Sequence, residues 1–132
     1  MSADVKTTGE LNLVLGWIWV ALGFASGAVL GLRFQDEHWL GGYASWMRRL
    51  YRLAHVSFFG LGLLNLMFFL TMRGTSVASA PFQIASIGFI VGALTMPVCC
   101  VLAAHKQNSK AIFAVPVLSL LIGALFTVWI LI

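Results

Sequence analysis

Three histidines, His38, His55 and His105, are the residues of this chain best suited to chemistry. Neutral imidazole is the commonest nitrogen ligand for iron and other metals. His55 stands in "RLYRLAHVSFFGLGLLNLMFFL", residues 49–70, an apolar run that opens with arginines. At about 100° per residue, Arg48, Tyr51, His55, Phe59, Gly62 and Leu66 share one helical face. On that face His55 can ligate a b-type haem, with Gly62 leaving room for a flat ring. Arg48 and Arg52 stand where the propionates would emerge. The second axial ligand would be His105, level with His55, or His38 in the preceding connection. Plainer roles stand beside these. A shallow histidine can hydrogen-bond a carbonyl or water, and His105, beside Lys106 at a helix end, suits a capping cation.

Other chemistry is poorly supplied. Cys99 and Cys100 are adjacent, so on a helix they project about 100° apart. Zinc normally takes four convergent ligands, and these two read as small packing residues. On a reducing, cytoplasmic side no disulfide is expected. Asp4, Glu10, Asp36 and Glu37 are the only acids, and all lie outside the apolar runs. There is no Ser–His–acid set, no pair of catalytic carboxylates and no phosphate loop, so the chain is read as non-enzymatic.

The elements that must position these residues follow from composition. Of 132 residues 61% are hydrophobic and 9% charged, with a mean hydropathy of +0.97. Four apolar runs, about residues 11–32, 50–72, 82–104 and 111–132, are long enough to cross a bilayer. In hydrocarbon each must satisfy its own backbone, which a helix does and a lone strand cannot. The expected fold is therefore all-α, a four-transmembrane-helix bundle forming one domain over residues 1–132. The flank "MSADVKTTGE" is not basic and the first run exceeds a signal core, so that run is read as a retained helix.

Charge orients the bundle. Arg33, Arg48, Arg49, Arg52, Lys106 and Lys110 lie on or beside the first and third connections, against Lys6 and Arg73 on the other side. The positive-inside rule places the first set in the cytoplasm and both termini outside. Trp17, Trp19 and Trp129 are expected at the outer headgroup level, Trp39 and Trp46 at the inner one. Trp39, Tyr43 and Trp46 recur at helical spacing, which suggests a short interfacial helix that Gly41 and Gly42 weaken. The charge of +4 belongs to this topology, and no nucleic-acid partner is expected.

Small residues mark the expected helix contacts: Gly23, Gly27 and Gly31 in the first helix, Gly88 and Gly92 in the third, Ser119 and Gly123 in the fourth. Pro97 and Pro116 are expected to bend helices three and four, with the freed carbonyls met by neighbours. Asn65, deep in the second run, requires an interhelical hydrogen bond.

Over one helix, "RLAHVSFFGLGLLN" is similar to the histidine-bearing helices of respiratory membrane cytochromes, a likeness that carries no residue's role with it. The preferred functional reading is an accessory or scaffolding subunit of a larger membrane assembly, with lipid and other membrane subunits as partners. An electron-transfer complex is the favoured host because of His55. A haem- or quinone-binding electron carrier is the alternative. A small-solute channel or transporter ranks third, since no ionisable pathway residue lies deep in the runs.

Overall fold

The computed structural model describes residues 3–74, 79–106 and 110–132, with side chains from residue 9 onward, residue 79 apart. The centres of the second connection (75–78) and of the third (107–109) lie outside the described residues, as do the side chains of Asp4 and Lys6. Four long helices follow in order: α1 (Ala3–Leu32), α2 (Trp46–Met72), α3 (Ser79–His105) and α4 (Ala114–Leu131). Each contains a stretch long and apolar enough to cross a membrane, and no strand occurs among the described residues.

The first three helices exceed the apolar runs at their starts, whereas α4 begins three residues inside its run, after a 3-10 turn over Lys110–Phe113. Hydropathy marks what lipid could cover, not where backbone hydrogen bonding begins. Thus α1 continues outward through "DVKTTGE", which no proline interrupts. α2 begins at Trp46 because extended Ser45 caps it, its Oγ accepting the Arg48 N–H at 3.1 Å. The expected interfacial helix between α1 and α2 does not form. Its place is taken by a single 3-10 turn over Trp39–Gly41, in which Leu40 and Gly41, and Gly42 just beyond, at φ 53°, 81° and 90°, break any helix. Trp46 belongs to α2 instead.

Each helix packs antiparallel on the one before it, and α1 also reaches α3. α4 lies chiefly on α3, so α1 and α4 form the flanks of an opened-out array around α2 and α3. Along α1 and α2, Gly16 faces Leu66, Gly23 lies under the Phe59 ring and Gly27 under His55. A Cβ on Gly27 would stand 2.7 Å from His55 Cε1. Between α3 and α4 the backbones themselves meet: a Cβ on Gly88 would lie 2.7 Å from the Ser119 carbonyl and 2.9 Å from the Gly123 N. Gly92 houses Leu120, and Gly123 rests on Phe89 and the Ala85 carbonyl. Gly31, the last of its row, meets nothing within 4 Å. Phe68 and Met72 of α2 join Phe82, Ala85 and Phe89 of α3 in the main core.

Pro97 and Pro116 each leave a carbonyl that a group from a neighbouring helix takes. Pro97 has no N–H for Ala93, and the Trp19 indole donates to that oxygen at 3.0 Å. Trp19 is therefore half-buried and packed on Phe58, its indole N–H committed to α3. Its indole N–H needs an acceptor, and α3 holds a vacant one. Pro116 falls in the first turn of α4, where a missing N–H costs little, so it begins the helix and does not bend its interior. The Ile112 carbonyl four residues before it accepts the Cys99 thiol at 3.3 Å.

Candidate functional site

His55 is held in the α1–α2 groove by specific contacts. Its Nδ1 lies 3.0 Å from Ser26 Oγ, which is itself 3.1 Å from the Gly23 carbonyl. A carbonyl only accepts, so the single hydroxyl hydrogen goes to Gly23, and both contacts are satisfied when Nδ1–H donates to Ser26. This assigns the Nδ1–H tautomer and leaves a lone pair on Nε2, which has no hydrogen-bond partner among the described residues. Phe59 meets the imidazole edge-on, with centroids 5.5 Å apart, and in turn packs on Phe24.

The other expected site residues do not converge on it. His105 is exposed, with Nε2 3.1 Å from Tyr51 Oη, and neither a hydrogen bond nor a ring contact joins it to His55. His38 is exposed in the connection, its backbone N–H donating to Asp36 Oδ1. Arg52 is exposed. Arg48, by contrast, is 1% exposed. Its Nη1 and Nη2 donate to the carbonyls of Asp36 and Phe34 at 3.2 and 2.9 Å, and its guanidinium lies 3.9 Å from the Tyr43 ring centre. Trp39 and Phe34 complete an aromatic cage. Arg48 thus pins the connection from inside and does not offer its guanidinium outward.

Gly62 faces α1, where a Cβ would lie 3.0 Å from both the Gly16 carbonyl and Trp19 Cβ. The room expected for a porphyrin is filled by a neighbouring backbone. A haem lying along α2 from His55 to Gly62, with its propionates on Arg48, does not fit these residues. No cluster of three or more His, Cys, Asp or Glu able to hold a metal occurs among the described residues.

A second polar centre was not legible in the sequence. Asn12, Asn65 and Ser86, each fully buried, join α1, α2 and α3. Asn12 Nδ2 donates to Asn65 Oδ1 at 2.7 Å, and Ser86 Oγ donates to Asn12 Oδ1. Asn65 Nδ2 donates to the Leu61 carbonyl at 2.8 Å. The need for an Asn65 partner was readable, but Asn12 stood at the very edge of its apolar run. What could have found it is its amide set between leucines in "LNLVL".

Comparison with protein-family models, curated proteins and solved structures yields no match.

Proposed function

We propose that this chain is a non-enzymatic multi-pass membrane protein, an accessory or scaffolding subunit of a larger membrane assembly, with an electron-transfer complex as its host. One observation supports this reading most. α1 and α4 do not close on one another as the end helices of a compact four-helix bundle do. Both turn large apolar side chains outward, Phe24 and Trp17 on one flank, Leu125 and Trp129 on the other. Two such flanks suit contact with lipid and with the helices of other subunits. In the proposed orientation the arginine-rich end faces the cytoplasm and both termini face outward.

Native membranes extracted in a mild detergent test the assembly. The chain should migrate within a larger complex of defined size, and that complex should fall in abundance when the chain is deleted. Recovery only as a free chain of 14.4 kDa would overturn the reading. For orientation, in a variant with Cys99 and Cys100 replaced by alanine, Ala44→Cys should label only after permeabilisation, whereas Gly74→Cys should label in intact cells.

The bare Nε2 of His55 favours a second reading, an electron carrier binding a haem b or a quinone. α1 occupies the Gly62 side and its Gly27 lies beside the same edge of the imidazole, so ligation through Nε2 would require α1 to give way there. Oxidised and reduced absorption spectra of the purified protein, with His55→Ala alongside, separate the two readings. A reduced haem band lost in the variant would support the carrier, and a colourless, folded wild type prepared with haem present would remove haem from it.

A further inference from the structure

One outward stripe of α2 changes character along its length. Arg49 and Arg52 open it, and Leu53, Val56 and Leu63 continue it at helical spacing, all exposed. Neither guanidinium has a carboxylate partner among the described residues. The acids at this end are Asp36, whose Oδ1 accepts the His38 N–H within its own connection, and exposed Glu37. Arg48 is committed to the Asp36 and Phe34 carbonyls and adds nothing outward.

We infer that this stripe binds a phospholipid with an anionic headgroup, its phosphate on Arg49 and Arg52 and its acyl chain along Leu53, Val56 and Leu63. Charge and hydropathy together select that partner. A free anion has no use for the apolar length, and a zwitterionic lipid carries no net charge for the arginines. Basic residues at a membrane surface each favour anionic lipid by a modest amount, so two arginines give a readable preference. The inference rests on the membrane placement proposed above, which an alkaline wash tests separately. Release of the chain by that wash would remove the placement, whatever the lipid result.

The test is native mass spectrometry of the full chain in neutral detergent, with equal amounts of phosphatidylglycerol and phosphatidylcholine. Wild type should retain phosphatidylglycerol preferentially, by about tenfold. Arg49→Gln/Arg52→Gln should bring retention near parity, whereas Arg73→Gln at the opposite end should leave the preference intact. Both positions are exposed, and unchanged helical circular dichroism would show that the double variant folds. In wild type alone, raised ionic strength should weaken the preference. Equal retention of the two lipids by wild type would overturn the inference, as would an unchanged preference in the double variant. Displacement of phosphatidylglycerol by inorganic phosphate beyond that caused by sodium chloride at the same ionic strength would also overturn it, showing a simple anion site.

Discussion

Trp19 donates its indole N–H across 3.0 Å to the carbonyl of Ala93, the one oxygen in α3 whose own helical donor Pro97 removes. The two irregularities answer each other: a proline opens an acceptor and a tryptophan two helices away closes it. Trp19→Phe keeps most of the ring and loses the donor, so it should lower stability by about 1–3 kcal/mol through the unsatisfied carbonyl. Adding Pro97→Ala restores a backbone N–H and should recover much of that loss. Thermal unfolding of both single variants and the double in detergent gives the coupling, and purely additive effects would contradict the link.

The Asn12–Asn65–Ser86 centre predicts a different kind of non-additivity. Asn65→Leu strands the Asn12 amide and should cost about 1–3 kcal/mol. Asn12→Leu/Asn65→Leu removes the main donor and acceptor together and should cost less than the two single losses combined. Unfolding midpoints for the four proteins of the cycle would decide it.

Glycines here divide by what surrounds them. Gly88→Ala puts a methyl group against the α4 backbone, where no rotamer change can relieve it, and should destabilise by about 1–3 kcal/mol. Gly31→Ala and Gly60→Ala, with nothing within 4 Å, should be neutral or stabilise by about 0.5–1 kcal/mol through helix propensity. A loss of stability in the last two equal to that in Gly88→Ala would contradict the packing described.

Ser26 should govern the protonation pattern of His55. Nitrogen NMR of histidine-labelled protein is expected to show His55 protonated at Nδ1, with Nε2 bare. In Ser26→Ala the hydrogen-bond shift at Nδ1 should disappear. An Nε2–H tautomer in the wild type would contradict the assignment.

Replacing Arg48 should loosen the first connection while sparing the helices. Arg48→Lys keeps the charge but loses the planar group that reaches two carbonyls and stacks on Tyr43. Faster proteolysis within residues 33–45, with unchanged helical circular dichroism, is the expected result.

How far the sequence could be read followed the physics of each signal. Four long apolar runs with acids only at their edges leave helices as the remaining option, and four such helices are present. Glycine spacing identified surfaces able to pack, but spacing alone does not say which helix arrives. Gly62 was open on a helical wheel and is filled by α1 in three dimensions. Arg48 resembled an outward-facing arginine because aromatic caging depends on how Phe34, Trp39 and Tyr43 fold back. Trp19 resembled an interfacial anchor because its partner is a backbone oxygen, which no residue letter records. The need created by Pro97 was legible; the group that meets it was not.

The order of packing has a consequence for biogenesis. Because each helix rests mainly on its predecessor, every arriving span finds its neighbour already made, and the chain can close in the order of its synthesis. The α1–α2 hairpin needs nothing from α3 to seat Gly16, Gly23 and Gly27. Only the ties from α1 to α3, Trp19 to Ala93 and Asn12 to Ser86, must wait for a third helix. Until it comes, the indole N–H of Trp19 and part of the Asn12 amide lack their final partners. The arrival of α3 thus satisfies α1 and presents the face on which α4 then packs.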